Sequence, residues 1–287
     1  MPDAPLAPGL YLVATPIGNL EDITLRGLRI LRSVDRIACE DTRQTQKLLN
    51  HFEIRTPTIS YHMHNEGPRA EELVAELKQG ARIAIVSDAG TPSIADPGGQ
   101  IAAAAIAAGI PVFPVPGANA ALCAVIASGL PTEQFTFHGF LPAKAGQRKT
   151  ALEELERDGA THIFYEAPHR IVDTLADIEA VFGAAQHIVI AREITKLHEE
   201  FLRGPVGELR IQLAARASVR GEIVLLLAPA AAEKKDVAQR TIATEVAAIM
   251  HAEKISEMDA LKRVAKNRGM GKSEAYRELQ REQNRLR

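Results

Sequence analysis

Two cysteines, Cys39 and Cys123, are all that the 287-residue chain contains, too few for a disulfide framework or an all-cysteine zinc site. A reducing cytoplasm is therefore the expected setting. Long apolar runs are missing too. The most apolar stretches, 101–115 and 223–232, are short, and Gly109, Pro111 and Pro114 interrupt the first, whereas a spanning helix needs about 20 apolar residues. No membrane span is expected, and the proline-rich start, with neither a basic segment nor an apolar core, does not read as a signal peptide. Charge of one sign is not in excess either: 34 Lys+Arg stand against 36 Asp+Glu, a net −2, so any nucleic-acid site must be local. Absent as well are Gly-x4-Gly-Lys-Ser/Thr, Gly-x-Gly-x-x-Gly, His-Glu-x-x-His and Gly-x-Ser-x-Gly. Their absence argues against Walker NTPases, ordinary dinucleotide enzymes, zincins and typical serine hydrolases.

What is present is an ordinary globular composition, 46% apolar and 24% charged, at a length corresponding to about two domains. Short apolar runs at 10–14, 82–87, 112–115, 162–165, 187–191 and 222–227 predict buried strands, and 35–38 is strand-like. Helical spacing predicts helices over 25–34, 69–78, 99–108, 149–157 and 171–181, and Pro116-Gly117 opens an alanine-rich helix toward Ser128 that Gly129 stops. This alternation is that of α/β proteins. Two α/β domains are expected, 1–118 and 119–230, with a site between them. After Pro229 no strand-like run remains, so 231–287 is expected to form a small all-helical domain.

That tail carries the charge asymmetry. From Glu233 onward 13 Lys+Arg face 9 Asp+Glu, and from Lys262 onward 9 face 3. Residues 255–266 and 267–277 read as helix, glycine turn, helix, with Ser273 a candidate N-cap. A solvated charged face and a phosphate-contacting module both fit this pattern; the helix-turn-helix arrangement favours nucleic acid.

Three Gly/Pro-rich loops follow expected strands, where open α/β sheets bind ligands: Thr15-Pro-Ile-Gly-Asn-Leu20, Ser87-Asp-Ala-Gly-Thr-Pro-Ser-Ile-Ala-Asp-Pro-Gly98 and Pro116-Gly-Ala-Asn-Ala120. Small residues there let main-chain groups approach an adenosine-like ligand, with Asp88 or Thr91 free to bond a hydroxyl or amine. Cys39-Glu-Asp-Thr-Arg43 reads either as an ion pair at a helix start or as a reactive cluster, with Glu40 or Asp41 polarising a hydroxyl and Arg43 clamping a phosphate. Tyr165-Glu-Ala-Pro-His-Arg170 and Ala191-Arg-Glu-Ile-Thr-Lys196 end strands in the same way. Phe137-His-Gly-Phe-Leu-Pro142 leads into a basic segment in which Lys144, Arg148 and Lys149 suit a polyanion or a solvated loop; Phe137 and Phe140 read as core. His62-Met-His64 would share one face of a strand but lacks a third ligand, so no metal is expected.

Together these motifs resemble the tetrapyrrole methylase superfamily, and within it the members that methylate ribosomal RNA on ribose 2′-hydroxyls; the resemblance spans residues 10–285. It implies two α/β domains with S-adenosylmethionine in the cleft between them, a homodimer, and a helix-turn-helix tail. Implied cofactor contacts are Pro16, Ile17, Asp88, Gly90, Thr91, Ile94, Ala95, Asn119, Ala120, Glu166 and Ile194. Tetrapyrrole relatives carry Gly-Asp-Pro where this chain has Gly90-Thr-Pro92, so the aspartate's role passes to Thr91 or Asp88. The implied reaction is methyl transfer to a cytidine 2′-hydroxyl in 16S ribosomal RNA of the small subunit. Glu40, Asp41 and Arg43 are then the catalytic candidates, and Lys144, Arg148, Lys149, Arg170 and Lys196 the substrate contacts. A tetrapyrrole methyltransferase and a non-enzymatic nucleic-acid-binding sensor stand as alternatives.

Overall fold

The computed structural model describes residues 5–155, 159–229 and 241–285. It divides into two compact units, Met1–Ala230 and Ala231–Arg287. The first unit opens with β1 (Gly9–Val13), α1 (Leu25–Ser33), β2 (Arg36–Cys39), α2 (Thr42–His51), β3 (Thr58–Ser60), α3 (Glu66–Lys78), β4 (Arg82–Val86), α4 (Gly99–Ala107) and β5 (Val112–Val115). These strands form a wholly parallel sheet in the order β3-β2-β4-β1-β5. Crossover helices cover both faces, so the central strands bury most of their side chains and read as nearly continuous apolar runs. Leu10, Ile83 and Ile85 face Leu73, Leu77 and Ile101 of α3 and α4, whereas Tyr11, Val13, Ala84 and Val86 face Ile30, Leu31 and Leu49 of α1 and α2.

Next comes α5 (Ala120–Ser128), followed by β6 (Phe135–Phe140), α6 (Ala145–Glu153), β7 (Thr161–Glu166), α7 (Ile171–Phe182), β8 (His187–Arg192), β9 (Glu200–Pro205), α8 (Val206–Ala214) and β10 (Ile223–Leu227). The second sheet runs β6-β7-β10-β8-β9, with β6 parallel to β7 and the other pairs antiparallel. One face packs on α6, α7 and α8 through Phe164, Ile190 and Leu225 against Leu152, Leu175, Ile178 and Leu209. The other face, Ile163, Val189, Ala191, Val224 and Leu226, receives α5 through Ala121, Ala124 and Val125. Thus the helix that leaves the first sheet is seated on the second.

The helix after β5 starts at Ala120, four positions past Pro116: Asn119 is its cap and accepts from the Leu122 N–H at 3.1 Å. Gly129 ends it with a left-handed φ of 81°. His62 and His64 lie in the turn after β3, not on a strand. α6 begins at Ala145, earlier than expected, and 156–157 of the expected helix lie outside the described residues.

The second unit contains α9 (Ile242–Glu253), α10 (Glu257–Asn267) and α11 (Lys272–Arg285). They share their own core of Ile242, Val246, Leu261, Val264, Ala275 and Leu279. The Glu282 carboxylate accepts from the Ile242 and Ala243 N–H groups at 3.1 and 2.8 Å, capping α9 from α11. Ser273 lies inside α11; the Gly271 carbonyl takes the first helical bonds, and Ser256 caps α10. No described helix is long and apolar enough to cross a membrane.

Arg148, a candidate polyanion contact, is 4% exposed, and its guanidinium meets Asp177 Oδ2 at 2.6 and 2.7 Å. Removing Arg148 leaves the buried Asp177 carboxylate with only the longer contact to Lys149 Nζ, at 3.5 Å. Arg148→Ala should therefore cost about 3–5 kcal/mol in denaturant unfolding, with the Arg148→Ala/Asp177→Ala double variant losing less than the sum of the single changes.

Candidate functional site

Because the first sheet is parallel, the segments after β1, β2, β4 and β5 all emerge at its carboxyl edge. In the second sheet β7 and β8 end where antiparallel β10 begins. With α5 joining the two, these edges enclose a cavity of about 470 Å³. From the first sheet it is lined by Ile17, Glu40, Asp88, Ala89, Gly90, Thr91, Ile94, Ala95, Asp96, Asn119 and Ala120. The second contributes Phe140, Tyr165, Glu166, Ala167, Pro168, Ile194, Glu222, Ile223 and Val224.

The loops are tied to one another before any ligand arrives. Thr15 and Gly90 exchange both backbone hydrogen bonds, at 2.8 and 3.1 Å. Gly90 has φ +85°, and a Cβ there would lie 3.2 Å from the Ile17 side chain, so glycine meets both the conformation and the close approach. Thr91 Oγ1 donates to the Ala118 carbonyl at 3.1 Å and the Asp41 N–H to Asp88 Oδ1 at 3.1 Å. Glu66, 8% exposed, accepts from Tyr61 Oη at 2.9 Å and from the Gly98 N–H at 3.0 Å, holding the far end of the second loop. Within that loop Ser93 and Ala95 take φ of 70° and 62°, strain of about 1–3 kcal/mol each that the surrounding ties offset.

Among the implied cofactor contacts, every one but Pro16 lines the cavity. Thr91 lends its hydroxyl to the loop tie, and buried Glu166 accepts from Thr174 Oγ1 at 2.6 Å and the Ala167 N–H at 2.7 Å. The two readings of the Cys39–Arg43 segment divide by residue. Glu40 lines the cavity, whereas Asp41 caps α2 and binds the Arg43 side chain at 2.8 and 3.1 Å, so the pair stands at a helix start outside it. Hydrogen bonds from the Arg43 side chain and backbone hold the Asp41 carboxyl at about 2.

None of the expected polyanion contacts lines the cavity. Lys144 and Lys149 are exposed, and Arg148 belongs to the core. Arg170 donates to the Leu141 and Pro142 carbonyls at 2.8 and 3.1 Å. Lys196 pairs with Glu193 at 2.7 Å and Glu222 at 3.1 Å. Its stem runs directly beneath Gly18, where a Cβ would sit 2.3 Å from Lys196 Cγ; the first loop is thereby laid on the second sheet's margin.

Sequence reasoning passed over Asp96, Tyr165, Glu222 and Phe140 as lining residues. Asp96 and Tyr165 stood within quoted motifs, but Glu222 immediately precedes the antiparallel strand β10, and strand direction leaves no local signal. Phe140 is 57% exposed, not core. The lining joins Glu40, Asp88, Asp96 and Glu222 to apolar walls of Ile17, Ile194 and Val224, with no Lys, Arg or His among its described residues. It suits a ligand with a cationic centre and an apolar body. Burial pushes the Asp96 carboxyl up to about 6, reinforced by Glu40, Asp88 and Glu222 and opposed by a Ser87 hydrogen bond. Burial also raises Glu40, with Asp88 adding to the shift and His62 opposing it.

Residues 9–210 match the family model of tetrapyrrole (corrin/porphyrin) methylases. The chain is 48% identical over 272 residues to the ribosomal RNA small subunit methyltransferase I of Halalkalibacterium halodurans, across 93% of each chain. It is 44% identical over 268 residues to the protein of that name from Synechocystis sp., across 93% of this chain and 95% of the other. Its backbone is similar to that of uroporphyrin-III-C-methyltransferase from Thermus thermophilus, with a TM-score of 0.55 at 20% identity over 77% of this chain and 94% of that one. The last is a likeness of fold alone.

The raised Asp96 value fixes a pH dependence. A carboxyl that holds its proton more tightly when folded favours the native state at low pH, and that advantage is lost as pH rises from the unfolded value, 3.8, through about 6. Asp96→Asn should therefore raise the thermal midpoint by a few degrees (about 1 kcal/mol) near pH 8. The gain should shrink toward about pH 4.5 in paired melts.

Proposed function

The chain belongs to the tetrapyrrole methylase family, and on that footing we propose that it transfers the methyl group of S-adenosylmethionine to the ribose 2′-hydroxyl of a cytidine in 16S ribosomal RNA. The observation that carries this reading is the extent of the likeness. The family model stops at residue 210, whereas alignment with the ribosomal RNA methyltransferase covers 93% of the chain and so takes in most of the 231–287 helical unit. That unit exposes Lys262, Lys266, Lys272, Arg277 and Arg281, a cationic surface that a small macrocycle does not need and an RNA phosphate backbone does.

The cavity fits the donor on chemical grounds. Glu40, Asp88, Asp96 and Glu222 complement a sulfonium and an ammonium, while Ile17, Ile94, Ile194 and the backbone of Gly90, Ala95, Asn119 and Ala120 suit an adenosine. Pro16, Thr91 and Glu166 support these walls. When bound, the cofactor supplies an electrophilic methyl and a neutral thioether leaving group. The protein's task is alignment and proton removal. With the donor bound, Glu40, whose raised carboxyl is closer to neutral than a free one, would take the proton of the acceptor hydroxyl. Arg43, tethered by Asp41 with its side chain 87% exposed, orients the ribose-phosphate. Lys144 and Lys149 meet phosphates further out. Lys196 and Arg170 act from behind, fixing Glu222 and the segment after β6. We place the enzyme in the cytoplasm as a homodimer that covers Leu122 and Ile126, neighbours on α5 that are 49% and 75% exposed.

The test offers radiolabelled S-adenosylmethionine with 16S RNA, small subunits lacking the modification, and a porphyrinogen. Label in an alkali-resistant dinucleotide is expected; label in the porphyrinogen alone overturns the RNA reading. Glu40→Gln should lower kcat by about 10²–10⁴-fold in single-turnover assays at saturating donor, well beyond the weakening of donor Kd that loss of one lining carboxylate brings. Removing 231–287 should weaken RNA binding and cut the salt slope by about 0.7–0.9 for each phosphate that the shortened chain no longer neutralises. An unchanged slope would contradict the role given to the helical unit.

A further inference from the structure

β6 is an edge strand whose pairing with β7 breaks in one place. Phe137 is opposite Ile163, and the next pair is Phe140 with Tyr165, so two residues, His138 and Gly139, face the single Phe164. Gly139 takes φ +69° at this bulge. Bulges of this kind re-aim the side chain that follows. Phe137 remains packed with the α5 cluster, while Phe140 turns out over the cavity, 57% exposed and lining it. The chain is pinned immediately afterward: Leu141 is 5% exposed, and Arg170 holds the Leu141 and Pro142 carbonyls. Tyr165 meets the Phe140 ring edge-on at 5.7 Å.

A large ring held on a fixed backbone and left in water is a poor contribution to stability and a good surface for a flat apolar partner. Exposure separates it from the deepest apolar lining, and it shares the outer rim with Ile94, which is 38% exposed. Ile17, Ile194 and Val224 are 6%, 8% and 4% exposed and form the inner wall, so Phe140 stands at the mouth. Four positions later comes exposed Lys144, and nine later exposed Lys149, whose Nζ lies 3.5 Å from Asp177 Oδ1; both put positive charge on the segment that follows the ring.

Resting on the RNA reading above, we propose that Phe140 is the stacking platform for the unpaired nucleobase of the acceptor nucleotide. Stacking would hold the base at the mouth and present its ribose to the interior. The ring holds the base without choosing among the four, because each has a π-face, so selection of cytidine falls to other contacts.

The experiment compares Phe140→Ala, Phe140→Leu and Phe140→Trp in the full chain, measuring KM for RNA, the donor Kd and the thermal midpoint. A short RNA carrying 2-aminopurine at the acceptor position adds a readout independent of turnover. Phe140→Ala and Phe140→Leu should raise the RNA KM about tenfold or more and abolish quenching of the fluorescent base, with the donor Kd unchanged. Phe140→Trp should retain both properties. An RNA KM and quenching unaffected in Phe140→Ala would overturn the platform while methylation by the unaltered protein leaves the RNA reading standing. Loss of donor affinity equal to the loss of RNA affinity would also overturn it, assigning the ring to the donor instead. If the unaltered protein labels no RNA, the RNA reading itself fails.

Discussion

The packing of α5 on the second sheet is the contact on which the candidate site depends. Ala121, Ala124 and Val125 let the helix lie close to Ile163, Val189, Ala191, Val224 and Leu226, and Ile17 from the loop after β1 joins the same cluster. The helix begins one residue beyond Asn119, itself a lining residue. Burying these small side chains therefore does two things at once: it joins two separately wound sheets, and it brings the carboxyl edge of one against the strand ends of the other. A larger residue at Ala124, which is 0% exposed, would push the helix off the sheet and open the cavity.

Around that contact the polar groups act mainly on each other. Thr15 with Gly90, Thr91 with Ala118, Asp41 with Asp88 and Glu66 with Gly98 connect successive loops. They hold Ser93 and Ala95 in left-handed conformations that an untied loop would abandon. This is the arrangement a positioning catalyst needs. Its charged lining groups are left incompletely matched, and the raised Asp96 and Glu40 carboxyls record that imbalance. A cationic ligand would relieve it.

How much of this was legible in the sequence follows from burial. Central strands such as β4 and β10 bury both faces, so their apolar runs stand out, and the Gly/Pro-rich loops behind them marked the first sheet's contribution to the cavity. β3, β6 and β9 are edge strands that pair on one side only; β3 is three residues long, and β6 and β9 carry residues such as His138, Arg203, Gly204 and Pro205 that break an apolar run. Charge was the least legible feature. Arg148, Arg170 and Lys196 looked like anion contacts in the chain but are drawn into Asp177, two backbone carbonyls and a Glu193–Glu222 pair. Phe140 was misjudged because a one-residue bulge decides whether its ring faces core or cavity.

The central claim is that the two sheets form a single donor site across α5. A crystal structure of the protein with S-adenosylmethionine tests it most directly. The account predicts the donor between the two edges, touching the loops after β1, β4 and β5 on one side and Glu166, Ile194 and Val224 on the other. A donor bound elsewhere, or held by the first sheet alone, would contradict it.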